Sequence, residues 1–232
     1  MSIQAHSPLS DIQIPMSEIE TAIINYAAGK LTPARHALIA CAIELNPDLA
    51  EFAALNTSVA ASLLDEVKPV SLSPLFIGKV LETLSFGHPY DVANDRNPKR
   101  IMNAPPVSKG LVNRDVIKNL SWKSLIPGVA VRDVLGNRKT KNGERLYLLK
   151  VKGGMRMPEH THQGEEWALI LSGGYHVDGK TYKRGDLHFE NETNSHAPVT
   201  CEGEDCICLA MTEAPLVMKG WFPKLVQKVV GI

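Results

Sequence analysis

The chain has 232 residues, enough for one large domain or two small ones. Its 25 basic and 25 acidic side chains cancel, which argues against a protein whose main task is gripping nucleic acid phosphates. Apolar residues make up 44%, enough for a real core, yet no apolar run reaches the roughly 18 to 20 residues that span a bilayer. The opening "MSIQAHSPLSDIQIP" lacks the basic start and apolar centre of a signal peptide. Cys41, Cys201, Cys206 and Cys208 form no even framework along the chain, so a reduced, cytoplasmic setting is expected.

Residues 17–84 read as helices. In "SEIETAIINYAAG", Ile19, Ile23, Tyr26 and Ala27 recur at helical spacing, and Gly29 is a natural stop. Thr32 is expected to cap a second helix that begins with Pro33 and runs through Leu38, Ala42 and Leu45. Asn46 and Pro47 repeat the device for a third helix, with Leu49, Phe52, Val59, Ala60 and Leu63 on one face. A shorter fourth helix is predicted from Ser73-Pro74 through Phe76, Ile77, Val80, Leu81 and Leu84. The result is a small bundle of marginal size.

The character then changes. "HPYDVANDRNPKRIMNAPPVSKG" is rich in proline, asparagine and charge and has no period, as in an interdomain linker. From about residue 117 the period is two, with candidate strands "VAVRDVL", "ERLYLLKVK", "EWALILSG", "YHVDGKTY", "DLHFEN", "HAPVTC" and "CICLAMTE". Asp178-Gly179 is a hairpin signal. Many short strands imply a barrel or sandwich. The apolar tail "GWFPKLVQKVVGI" is expected to pack onto the rest. The predicted division is a helical domain at 1–86, a linker at 87–116 and an all-β domain at 117–232.

The chemistry gathers in "GMRMPEHTHQGEEWALILSGG". Side chains alternate along a strand, so His160 and His162 share a face. In the next strand Glu166, Ala168 and Ile170 share one face, and Trp167, Leu169 and Leu171 the other. A glutamate opening such an apolar strand faces the interior, where an unpaired carboxylate is costly. A divalent metal held by the two imidazoles would supply its partner. Strand parity points the neighbouring Glu165 away from that metal.

These residues resemble the first cupin motif: Gly154, His160, His162, Glu166 and Gly173 fill its marked positions. Gly185 and His196 match the glycine-to-histidine spacing of the second motif, while Asn191, Thr193 and Thr200 depart from it. That resemblance implies a double-stranded β-helix barrel with His196 as the fourth ligand. His188, three residues after Gly185, is the rival, and otherwise reads as an outer or partly buried strand histidine. His176 reads as a surface residue, and His88 lies in the linker. Three histidines and a glutamate suit zinc, iron, manganese or nickel.

A narrower family accounts for both halves. "NYAAGKL", "HTHQGEEWALILSGGY", "HAPV" at 196–199 and "DCICLAMTEAPL" at 205–216 resemble ChrR-type anti-sigma factors, with a helical anti-sigma domain before a zinc-binding cupin. The resemblance implies zinc on His160, His162, Glu166 and His196. It also implies that the helical domain clamps an alternative sigma factor of the extracytoplasmic-function type, in response to an oxidative or small-molecule signal. A homodimer is compatible with this reading; direct nucleic acid binding and membrane insertion are not expected.

The helical half departs from the family pattern. Its own zinc site uses an N-terminal histidine and an H-x-x-x-C-x-x-C run, and His6 and His36 are present. The two cysteine positions, however, hold Ala40 and Ile43, and Cys41 is rotated by about 100° around the helix. No zinc is expected there, and Cys41 is expected to be a core residue. Cys206 and Cys208, two apart on one strand, read as small core residues before a redox pair. The competing function is a metal-dependent cupin oxygenase or isomerase with a vestigial or dimerising helical domain.

Overall fold

The structure is a computed structural model that describes residues 17–71, 73–78, 107–134, 143–192, 195–214 and 217–218. In chain order the helices are α1 (Glu18–Ala27), α2 (Pro33–Leu45), α3 (Pro47–Asp65), α4 (Val107–Val112) and α5 (Arg114–Lys118), with a further helical stretch at 74–78. The strands are β1 (Lys123–Ile126), β2 (Val129–Asp133), β3 (Arg145–Val151), β4 (His160–Thr161), β5 (Glu166–Ser172) and β6 (Gly174–Val177). They continue as β7 (Lys180–Lys183), β8 (Leu187–Glu190), β9 (Ser195–His196), β10 (Val199–Thr200), β11 (Cys206–Thr212) and β12 (Val217–Met218).

Local chemistry sets the helix ends. Ser17 and Glu20 form a capping box at α1, each side chain bonding the other's backbone N–H. Asn46 ends α2 and accepts from Asp48 N and Leu49 N to start α3. Thr32 occupies the cap position of α2, but its side chain makes no capping hydrogen bond; Pro33 at the first turn sets that start instead. The expected fourth helix is described only over 74–78, and its remainder, like the C-terminal tail, His6 and His88, lies outside the described residues. No described helix is long and apolar enough to cross a membrane.

The end of the expected linker is structured. Where composition reads as aperiodic, 107–118 forms α4 and α5, and Asn113 caps α5 by accepting from Asp115 N and Val116 N. Arg184 donates to the carbonyls of Leu171 and Val112, tying the end of α4 to the sheet. Such short helices are too brief to show a period and draw their stability from packing.

The strands form a cupin-like arrangement: a six-stranded sheet in the order β1-β2-β3-β11-β5-β8, with two three-stranded sheets, β10-β6-β7 and β12-β4-β9. The β6–β7 hairpin turns at Asp178-Gly179, both with positive φ. The expected strand "HAPVTC" is divided into β9 and β10, which join different sheets. β1 and β12 lie outside the strands that the sequence predicts; β12 is two residues long, too short for alternation to register.

The helices pack on the outer face of the large sheet, and the two layers share one core. Ile23, Leu38, Ile39, Cys41 and Ala42 from the helices cluster with Leu169, Leu171, Leu209 and Met211 from β5 and β11. Burying each such leucine stabilises the fold by about 1.5–3 kcal/mol. The opposite faces of the same strands line the barrel: Ile170, Cys206 and Cys208 with Tyr175 and Val177, and Ala210 with Val131 and Tyr147. β5 and β11 are therefore covered on both faces, which explains their continuous apolar sequences. Gly185 brings the layers close: a Cβ there would stand 3.2 Å from the Leu45 carbonyl, and its φ of +93° is one L side chains avoid.

Candidate metal centre

One short strand pairing and the start of a longer strand build the site. β4 and β9 place His160 directly opposite His196, and His162 follows two residues on from His160. Glu166 enters from the first position of β5. One donor atom from each of His160, His162, Glu166 and His196 lies within 4.8 Å of every other. His160 Nε2 and His196 Nε2 are 2.8 Å apart, and Glu166 Oε2 lies 3.4 Å from His162 Nδ1 and 3.9 Å from His196 Nε2. The three imidazoles are buried and meet edge to face.

The electrostatics suit a cation. Burial pushes the Glu166 carboxyl up to about 8, and the charge of Glu190 adds to the shift. Burial pushes His160 and His162 down to about 4, so both are neutral near pH 7 and offer lone pairs. His160 Nδ1 lies 2.9 Å from the Pro158 carbonyl, which selects the tautomer with a free Nε2 lone pair facing the cluster. Both ring nitrogens of His162 are buried without a hydrogen bond. Such orphaned groups are costly unless something coordinates them. The donor set thus fits a divalent ion, and three histidines with a carboxylate are ligands common to zinc and its first-row neighbours.

A second chain of polar groups lies behind the first. Tyr175 Oη is 2.8 Å from His188 Nδ1, and His188 Nε2 is 2.9 Å from Glu190 Oε1. Glu190 Oε1 is in turn 3.5 Å from His196 Nδ1. His188 is therefore a buried interior residue, in contrast to the outer or partly buried position expected; it joins the site through Glu190. Glu190 escaped sequence reasoning altogether. Its signal was present: His188 and Glu190 are two polar residues at i and i+2 of the short strand "LHFE", hence on one face.

The remaining candidates fall into place individually. Glu165 turns outward, as parity predicts, and pairs with Arg35 of α2 at 2.8 Å. His176 is exposed on β6. Cys206 and Cys208 are buried in the barrel interior, where burial pushes the Cys206 thiol up to about 12 and that of Cys208 well above its ordinary value. Cys41 is fully buried in the shared core, and the His36 ring lies 4.7 Å from that of Tyr26. A cleft of about 530 Å³ has His196 in its wall beside Arg156, Glu159, His176 and Ser195.

Comparison with known proteins identifies relatives across both layers. A family model described as the ChrR cupin-like domain matches residues 114–215. The anti-sigma-E factor ChrR of Cereibacter sphaeroides is 32% identical over 203 residues, 87% of this chain and 91% of that protein. The crystal structure of Rhodobacter sphaeroides SigE in complex with the anti-sigma ChrR matches with 27% identity and a TM-score of 0.63, over 83% of this chain and 96% of that one.

Proposed function

The chain belongs to the family of ChrR-type anti-sigma factors, and from that premise we propose that it holds an alternative sigma factor, of the extracytoplasmic-function type, away from RNA polymerase. The observation that carries this reading is the reach of the likeness. It extends over 87% of the chain and so includes the helices, whereas a metal-dependent cupin enzyme would need the barrel alone.

A docking face supports it. Leu55, Val59 and Leu63 recur at i, i+4 and i+8 on α3 and are more than half exposed, and Leu75, Phe76 and Ile77 at 74–78 are exposed as well. An exposed apolar helix face of this kind marks a protein interaction site, and an amphipathic helix meeting a groove is a recurrent mode. Such a protein would work in the cytoplasm, beside the polymerase.

We assign one divalent ion, zinc by family resemblance, to His160, His162, Glu166 and His196, and none to the helical layer, where Ala40 and Ile43 replace the thiolates. When bound there, the ion would supply a fixed positive charge and tie together β4, the turn that follows it, β5 and β9. A small oxidant or metabolite would approach the centre from the cleft that has His196 in its wall. A signal acts only through different affinity for two arrangements of the protein, so it must favour the one in which the α3 face is not engaged. Co-expression with a candidate sigma factor followed by co-purification tests the proposal. Failure to form a complex with any such factor encoded beside it, at micromolar concentrations, would refute it.

A further inference from the structure

One guanidinium from the helical layer meets three carboxylates from the barrel. Arg35 of α2 places Nε 3.2 Å from Glu144 Oε1, Nη1 2.8 Å from Glu165 Oε2 and Nη2 2.5 Å from Glu213 Oε1. The three acids are neighbours by topology. Arg145, Thr212 and Glu166 form one row across β3, β11 and β5, and each carboxylate sits one residue outside that row.

The cluster grips the short segment between two candidate ligands. Glu213 Oε2 accepts from Glu165 N–H at 2.9 Å, and Glu213 N–H donates to the Glu165 carbonyl at 3.1 Å. Trp167 Nε1 donates to Glu165 Oε2 at 2.9 Å. Gly164, at φ +102°, leaves the room Glu213 needs: a Cβ there would stand 2.5 Å from Glu213 Oε2. Residues 163–165 join His162 to Glu166, so the path between two donors is held from outside the barrel by α2.

We infer that Arg35 is a positioning residue for Glu166 and the link through which metal occupancy and the docking of α2 on the barrel affect each other. The inference rests on the metal reading above. Its physical basis is geometric. A planar guanidinium presents its donors in a fixed fork that serves three carboxylates at set positions, whereas a lysine's ammonium is a compact point charge on a flexible stem. Without it, three like charges converge at the end of adjacent strands, and Glu165 loses the contact that sets the entry of β5. Groups that orient ligands from behind are worth about 10- to 100-fold in metal affinity. Linkage makes the effect mutual: if docked α2 favours the metal, the metal favours docked α2 by the same factor.

The test titrates zinc ion, against a competing chelator, into metal-free full-length wild type, Arg35→Gln, Arg35→Lys and Glu165→Gln. Amide hydrogen exchange is followed over α2 with and without zinc. Arg35→Gln is expected to bind zinc about 10- to 100-fold more weakly, with Arg35→Lys in between. Zinc is expected to slow exchange in α2 of wild type and to leave it unchanged in Arg35→Gln, a difference that mere loss of stability would not produce. If Arg35→Gln does not fold, Glu165→Gln, whose side chain is 30% exposed, carries the same two expectations. Wild-type zinc affinity in a folded variant, with α2 still protected by zinc, overturns the inference. His160→Ala separates the two levels: zinc uptake by wild type but not by His160→Ala supports the metal reading whatever Arg35 does. A wild type that takes up no zinc refutes that reading, and the inference with it.

Discussion

Glu166 and Glu190 stand directly opposite each other in the β5–β8 pairing, two carboxylates on one interior face of the barrel. Like charges in such a pair repel, and burial sharpens the repulsion. Without a cation Glu166 retains a proton: burial raises its carboxyl to about 8, and the charge of Glu190 adds to the shift.

The consequence is a pH dependence specific to the metal-free protein. The folded chain keeps a proton on Glu166 that the unfolded chain loses near 4.5, so this contribution is greatest below 4.5 and falls until about pH 8. His160 and His162 act in the other direction. Their pKa is lowered from 6.5 to about 4, so their contribution is complete above 6.5 and is lost as pH falls. Between pH 6.5 and 8 the Glu166 trend outweighs the tail of the histidine titration, and stability should drop by about 1 kcal/mol. Urea unfolding of chelator-treated protein across this range measures it. Glu166→Gln should flatten the slope, and equal slopes in both proteins would contradict the assignment.

Glu190→Gln should weaken zinc binding by about tenfold while keeping one ion per chain, because it removes a carboxylate charge 3.5 Å from His196 Nδ1. His196→Ala should abolish stoichiometric binding. Elemental analysis gives the ratio, and chelator competition gives the affinity. Undiminished affinity in Glu190→Gln would assign that carboxylate to the His188–Tyr175 chain alone.

The α3 face can be tested without disturbing the fold. Leu63 is 62% exposed, so Leu63→Glu should change stability by no more than about 0.5 kcal/mol. Its affinity for the sigma factor should nevertheless fall at least about 100-fold, as for a central apolar anchor. Thermal unfolding and a binding titration distinguish the two effects. Retained binding in both Leu63→Glu and Val59→Glu would place the interface elsewhere.

The shared core predicts joint unfolding. Leu209 is fully buried on the β11 face that the helices cover. Leu209→Ala should cost about 2–5 kcal/mol. Far-ultraviolet circular dichroism and tryptophan fluorescence, to which Trp167 at the interface contributes, should then shift together in a single transition. A separate, earlier loss of helix would show that the layers fold independently.

Much of the site was legible because strands have a period of two. Parity alone placed Glu166 and Ile170 inside and Trp167, Leu169 and Leu171 outside, and the clusters divide along that line. The same rule separated Glu165 from Glu166. It failed for 107–118, where helices of six and five residues are shorter than two turns and carry no readable period. In "LHFE" parity puts His188 and Glu190 on one face, whereas the motif spacing points only to His196.

What the sequence determines by itself is therefore local: caps at Ser17 and Asn46, the hairpin at Asp178-Gly179, and the face on which each strand residue lies. These follow from short-range sterics and hydrogen bonding within a few residues. Only the tertiary structure decided that Arg35 meets Glu144, Glu165 and Glu213, up to 178 residues away along the chain, and that Glu190 backs His196. Those relationships depend on which strand lies beside which and on where α2 docks. Pairing and docking are set by the summed burial of many side chains, a long-range quantity that no single motif carries.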